Sequence, residues 1–319
     1  MRISFITTVF NEEENISSLI ESVLSQTKKP DEIVIVDGGS SDLTVANIKY
    51  QISNIKDSKV KFKILIKRGN RAVGRNEAIK QATGDIILCS DAGCILDKKW
   101  VENITKPFKD KSVDVIAGYY KGKTSSVFQK CLIPYVLVML DRVNPDNFLP
   151  ATRSMAFRKS IWKKVGGFPE EFAHNEDYVF AKRLKKLNAK IIFRKDAIVY
   201  WIPRSNTKDA FIMFYRFAKG DAESHIFRPK VIMLFSRYII GLFLIVFYAI
   251  SKSYLMLNTL YLILFIYVLW SIIKNYKYVK DIRAIFFLPL IQITSEIAVV
   301  SGTIEGLSNS SKRKYYFFL

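Results

Sequence analysis

The stretch GDIILCSDAGCILD, residues 84–97, decides how this chain is read. Its apolar core is strand-like, bounded by Gly84 on one side and by the Ser90–Asp91 pair on the other. A short continuous apolar run between turn signals fits a strand buried on both faces of a parallel sheet. The run closes on an aspartate. A carboxylate at the carboxyl end of a parallel strand lies where open α/β sheets bind their ligands.

Working outward, the same pattern repeats. RISFITTVF (2–10), EIVIVD (32–37), KFKILI (61–66) and VDVIAGYY (113–120) read as further strands, with helical stretches between them. The acidic NEEEN at 11–15 suits a helix start by complementing the macrodipole, and Ile16, Leu19, Ile20, Val23 and Leu24 then share one face of a helix to about Gln26. Alternating strands and helices predict an α/β domain, with a largely parallel sheet covered on both sides, over residues 1–227.

From Arg228 the pattern changes. VIMLFSRYIIGLFLIVFYAI (231–250) and YLMLNTLYLILFIYVLWSII (254–273) are each long enough, at about 30 Å as helices, to cross a hydrocarbon core. Only SKS joins them, which favours a membrane hairpin over two buried helices of a soluble domain. Arg237 could snorkel toward the interface. A third run, AIFFLPLIQITSEIAVVSGTIEG (284–306), contains Pro289 and Glu296 and fits either a third span or an interfacial segment. The first reading leaves the basic tail SKRK outside and the second keeps it inside. Residues 228–319 thus form a membrane region, and the basic KNYKYVKDIR (274–283) places that loop and residues 1–227 in the cytoplasm.

The formal charge is +20, and residues 228–319 carry 11 basic and 3 acidic residues of it. Basic residues flanking apolar runs fit an anionic membrane face. No basic-aromatic motif of a nucleic-acid module occurs, so nucleic acid is excluded as a partner. Cys89, Cys94 and Cys131 are odd in number and lack metal-ligand spacing, which reads as reduced thiols. The N-terminal run is too short and too β-branched for a secretory segment.

The chemistry-bearing residues fall at the ends of these elements. Asp37 closes its strand before Gly38 and Gly39 and is either a nucleoside ligand or a turn aspartate capping the next helix. Arg75 precedes Asp91 on a helix and offers a cation for phosphate. Asn175, Glu176 and Asp177 open an amphipathic helix with Val179, Phe180, Leu184 and Leu187 inward. Asp177 is either a macrodipole acid or a general base. The apolar VFQKCLIPYVLVML (127–140) is a core helix or a segment near the membrane that admits a lipid-linked acceptor.

Taken in order, TTVFNEEENISSLIESVLSQT, IVDGGSSD, GRNEAI, GDIILCSDAG, GGFPEEF and the ED of HNEDYVF resemble the inverting family-2 glycosyltransferases of GT-A fold, over residues 1 to about 200. SDAGC and RSMAFRK resemble a branch of that family with membrane helices at the carboxyl end. The resemblance implies that Thr8 and Asp37 hold the nucleoside of a nucleotide-diphosphate sugar. It places Asp91 at the first position of the Asp-x-Asp motif and makes Asp177 the catalytic base. Arg75 is carried over as a donor-site residue. The implied cofactor is a divalent cation, manganese or magnesium, on Asp91, but Gly93 replaces the motif's last acid. A histidine common after the late strand is also missing, since AIVYWIP (197–203) offers Tyr200 and Trp201. Basic side chains, Arg153, Arg204, Arg216 and Lys219, are the candidates to meet the leaving diphosphate, and Glu176 stands beside the base.

The expected reaction transfers a sugar, with inversion, to a hydroxyl of a saccharide or lipid-linked glycan at the cytoplasmic face of the membrane. The alternatives are transfer to a polyprenyl phosphate, or a non-catalytic membrane component of a glycan assembly complex. A nucleotidyltransferase is disfavoured, because TTVFNEEEN lacks a glycine-rich, lysine-bearing phosphate loop.

Overall fold

The computed structural model describes residues 1–54 and 60–310. It divides into two compact units. Met1–Lys123 with Leu137–Ile202 form the first, and Thr124–Val136 with the chain from Pro203 form the second. The division falls at Ile202/Pro203 and not at 227.

The first unit carries one eight-stranded sheet. Strands β1 (Ile3–Val9), β2 (Glu32–Asp37), β3 (Lys61–Ile66) and β4 (Ile86–Cys89) alternate with helices α1 (Ile16–Leu24), α2 (Thr44–Ser53) and α3 (Arg71–Gln81). Then come β5 (Cys94–Leu96), α4 (Trp100–Thr105) and β6 (Val115–Gly122), with helix α5 (Val127–Val136) belonging to the second unit. The first unit resumes with β7 (Met155–Arg158), α6 (Lys159–Lys164), α7 (Glu176–Lys186) and β8 (Ile191–Trp201).

The strand order is β3-β2-β1-β4-β7-β6-β8-β5. β1, β2, β3 and β4 pair in parallel, as do β6 and β8. β7 runs antiparallel to both β4 and β6, and β5 antiparallel to β8. The sheet is therefore mixed, and less parallel than the alternation of strand and helix signals predicts. The reversed β7 follows a long connection, and nothing in its four residues, MAFR, records direction. β1, β2 and β4 are buried almost throughout, which is why they read as unbroken apolar runs.

One core layer unites the sheet with the aromatic residues that follow it. Phe157, Phe168 and Phe180 pack together, the last two stacked at 4.1 Å between ring centroids. Leu184 is buried with them, whereas Leu187, expected to point inward, is 39% exposed at the residue that caps the carboxyl end of α7.

The second unit is helical. α5 is joined by α8 (Thr207–Glu223), α9 (Pro229–Ser251), α10 (Tyr254–Val279) and α11 (Ala284–Ser310). The last three are long and apolar enough to cross a membrane. The third apolar run is one continuous helix through Pro289, packed along α8. Gly302 and Gly306 allow this approach, since a Cβ at either would lie 2.3 or 2.5 Å from a carbonyl oxygen of α8. Glu296 explains its own presence in an apolar helix. It accepts hydrogen bonds from the hydroxyls of Tyr238 (2.9 Å) and Tyr267 (2.8 Å) and pairs with Arg237 at 2.5 Å. Arg237 is thus an ion-pair partner. α5 joins this unit through the Tyr135 hydroxyl, which donates to the Leu288 carbonyl at 3.0 Å. The tail SKRK lies outside the described residues.

Candidate active site

The carboxyl ends of β1, β2 and β4 form one edge of the sheet, because Val9 aligns with Asp37 and Ile6 with Cys89. Asp91 follows two residues beyond β4. Helix α3 is brought against this edge at Gly74, where a Cβ would lie 2.8 Å from Thr8 Cγ2. That close approach aims the next residue, Arg75, at Asp91.

Arg75 is the hub. Its Nη2 donates to Asp91 Oδ1 at 2.9 Å, and its Nη1 pairs with Glu176. Its side chain and that of Glu176 are 3% and 4% exposed, and the guanidinium lies over the Phe168 ring. Two carboxylates occupy a buried guanidinium, so Arg75 does not present a free cation to phosphate, as the sequence suggested. It ties the end of β4 to the start of α7. Burial works against its charge, but Glu176 and Asp91 outweigh this and hold it protonated well above its ordinary range.

Its neighbour Asn76 does the parallel work for the GGFPEEF segment. The Asn76 amide donates to the Phe168 carbonyl (2.8 Å) and to Glu170 (2.7 Å), and its oxygen accepts from the Phe168 N–H at 2.9 Å. The Trp162 indole donates to the same oxygen. GRN and GGFPEE are therefore two halves of one clasp.

Asp177 lies in the first turn of α7. Its Oδ1 accepts from the Tyr178 N–H at 2.8 Å, and Oδ2 faces the Thr152 N–H at 3.5 Å. Burial raises its pKa above the usual carboxylate value, and Glu176 next door raises it further, against the pull of Arg75 and Arg153. Asp91 behaves oppositely. Burial would raise it, but the charges of Arg75, Arg71 and Arg153 prevail and hold it below the usual value. Two carboxylates on one edge are thus pushed apart, the arrangement by which proteins assign acid–base roles. Cys89 and Cys94 are buried and each pushed up to about 12, so neither is a nucleophile at neutral pH.

Asp37 is 1% exposed. Its carboxylate accepts from the backbone N–H groups of Gly39 (2.9 Å) and Ser40 (3.0 Å) and from the Ser40 hydroxyl (2.5 Å). Among the described residues the bonds of this carboxylate all go to its own turn, the bland alternative open from sequence. Thr8 lies beside it, half-buried on β1. The structure thus joins Asp91, Arg75, Glu176, Asp177 and Arg153 by contact or by field, with Thr8 and Asp37 along the same strand ends. Arg204, Arg216 and Lys219 belong to the second unit. There Arg204 and Arg216 are exposed, and Lys219 is paired with Glu305 at 2.5 Å.

Sequence reasoning passed over Arg71, Asn76, Tyr120 and the role of Trp201. The density of basic residues in KRGNRAVGR (67–75) was the available signal for Arg71. No local pattern marked Tyr120, which meets the site only through sheet pairing.

A divalent cation needs several oxygen donors. Asp91 offers one unclaimed carboxylate oxygen among the described residues, Gly93 offers none, and Trp201 has no metal-ligating atom. No group of three His, Cys, Asp or Glu side chains converges among the described residues. The donor set does not fit an ion held by the protein itself.

The chain is similar to known glycosyltransferases. The chain is 29% identical over 206 residues to the Glycosyltransferase AglE of Haloferax volcanii, covering 61% of this chain and 65% of that protein. It is 26% identical to a Poly-beta-1,6-N-acetyl-D-glucosamine synthase of Staphylococcus epidermidis, over 69% of this chain and 55% of the relative. The chain therefore spans less than two thirds of the length of either. A solved Mannosyltransferase PcManGT from Pyrobaculum calidifontis, in complex with GDP-Man and Mn2+, superposes with a TM-score of 0.69. That match covers 97% of this chain and 87% of the other at 14% identity, which shows the fold. The sequence profile of Glycosyl transferase family 2 matches residues 4–164, which include Thr8, Asp37, Arg75, Asp91 and Arg153 and make up half of the chain. On the strength of that profile, this chain belongs to glycosyl transferase family 2.

Proposed function

We propose that this protein transfers a sugar from a nucleotide-diphosphate sugar to a hydroxyl group, with inversion at the anomeric carbon. The carrying observation is Asp177, a carboxylate with its proton affinity raised, set beside the ionised Asp91. In this reading Thr8 and the strand edge at Asp37 receive the nucleoside, and the free oxygen of Asp91 accepts a ribose hydroxyl. Asp177 takes the proton of the acceptor hydroxyl as its oxygen bonds to the anomeric carbon. The bond from that carbon to the diphosphate oxygen breaks, and its electron pair leaves with the nucleoside diphosphate. A positioned base contributes about 10²–10⁴ to such a step.

The acceptor is a saccharide or a lipid-linked glycan. A hydroxyl needs a base, whereas a polyprenyl phosphate is already ionised. The gathering of α5 with three apolar helices supports an acceptor carried on a lipid at the cytoplasmic face. A divalent cation enters this reading only as a counter-ion of the donor's own diphosphate.

The test is a donor screen with the full chain solubilised in detergent, scoring nucleoside diphosphate release and the mass of the product. Release of nucleoside diphosphate by the wild type, lost in Asp177→Asn, is the expected result. Pyrophosphate release, or activity unchanged in Asp177→Asn, would overturn the assignment.

A further inference from the structure

A leaving diphosphate brings negative charge that the site has to meet in the transition state. We propose that Arg153, clamped between Tyr120 and Trp201, meets that charge in place of a metal ion held by the protein. The inference rests on the transferase reading above and names the residue on which its leaving group depends.

The sheet itself places Arg153. β4 and β7 are antiparallel with Cys89 opposite Met155, and Arg153 lies in the single 3-10 turn, Thr152–Ser154, that leads into β7 beside the end of β4. The Ser90 hydroxyl ties that turn to the residue before Asp91 by donating to the Arg153 carbonyl at 2.9 Å. On the far side, β5 pairs with β8 so that Cys94 stands opposite Trp201. The guanidinium carbon of Arg153 lies 5.7 Å from the centre of the Tyr120 ring and 5.2 Å from that of Trp201. Among the described residues the Arg153 side chain makes no hydrogen bond or ion pair.

These facts fit one purpose. Ring faces hold a guanidinium by its π surface and leave its N–H fork unspent for a phosphate. Arg75 cannot serve, because both of its terminal nitrogens are committed to carboxylates and its side chain is buried. Arg71 also acts on Asp91 but is exposed and has no aromatic clamp. Gly93, where the family motif has its last acid, adjoins the end of β8, since the Ile202 N–H donates to the Gly93 carbonyl. A Cβ at Gly93 would meet nothing within 4 Å. Crowding therefore does not explain the missing acid. In its neighbourhood stand a tryptophan and the arginine that it packs against.

The experiment uses the full chain in detergent with excess chelator, and titrates UDP, GDP, uridine and guanosine. The wild type is expected to bind one diphosphate far more tightly than its nucleoside. Arg153→Gln should lower that diphosphate affinity about 10- to 100-fold while nucleoside affinity stays within twofold, and Arg153→Lys should fall between. Where a donor is turned over, Arg153→Gln should lower kcat about 10²-fold, and added Mn2+ should not restore it. A misfolded variant would lose nucleoside and diphosphate binding together, so Arg153→Lys and Trp201→Phe then decide the matter. Trp201→Phe keeps a smaller ring under the guanidinium and should weaken diphosphate binding by less than Arg153→Gln does, with nucleoside affinity within twofold; a diphosphate affinity lowered as far as in Arg153→Gln would show that the ring face is not what holds the guanidinium. Strict dependence of wild-type turnover on Mn2+ or Mg2+, or an Arg153→Lys and Arg153→Gln pair as active as wild type, would overturn the proposal and leave the transferase reading standing. Failure of UDP, GDP and every screened donor to bind the wild type would overturn both.

Discussion

Glu32 and Asp177 are carboxylates set into the same domain, and their surroundings treat them in opposite ways. Glu32 opens β2 at the amino edge of the sheet and is 1% exposed. It accepts from the Ser4 hydroxyl at 2.6 Å and from the N–H and hydroxyl of Thr83, with Lys63 at 3.6 Å. Burial would raise its pKa, yet these donors carry it down to about 2. Asp177, beyond the opposite ends of the strands, has one good backbone donor, an acidic neighbour and a raised pKa. A satisfied buried acid holds the fold together, whereas an under-satisfied one is left with proton affinity to use.

The largest expected effect tests the reactive end. Asp177→Asn should reduce kcat about 10³-fold while nucleoside diphosphate affinity and melting temperature stay at wild-type values. A fall in stability comparable with that of a Glu32 variant would erase the contrast.

Next comes the structural end. Glu32 has its folded pKa below its unfolded one, so its stabilisation is complete above about pH 4.5 and is lost as pH falls toward about 2. It contributes about 3 kcal/mol at neutral pH. Chemical denaturation of Glu32→Gln should show that loss at pH 7 and a flatter pH dependence between those limits. Turnover per folded molecule should be unchanged.

Arg75 couples to the reactive side, and its effect should be smaller. Asp177 works as a base only when ionised, so the acid limb of the pH–rate profile should lie above the usual carboxylate range. Arg75→Lys loosens the guanidinium fork that favours ionisation and should move that limb to higher pH, by up to about one unit. A shift to lower pH would contradict the assigned sign.

The smallest effect is expected at Gly93. A side chain there enters open space, and Gly93→Asp should change folding stability by less than about 0.5 kcal/mol in thermal denaturation.

Much of this was legible from residues alone. The run EIVIVD coincides with β2 residue for residue, because a strand covered on both faces has no polar side to blur its limits, and KFKILI coincides with the edge strand β3, which is only partly buried. The apolar helices after Arg228 were equally plain, since length and composition alone make a segment able to cross a membrane. The candidate acids were identifiable because they end strands or open a helix. Their partners were not. Arg75 is 101 residues from Glu176, and Arg153 is 33 and 48 residues from its two aromatic rings.

The sequence by itself determined which elements form, where their polar ends lie and which segments are apolar enough for a membrane, because these depend on local pattern. Only the tertiary structure decided that β7 runs backward, that Arg75 is spent on two carboxylates, and that Arg153 lies against the rings of Tyr120 and Trp201. Direction and pairing depend on contacts between residues far apart along the chain, and no local pattern encodes them.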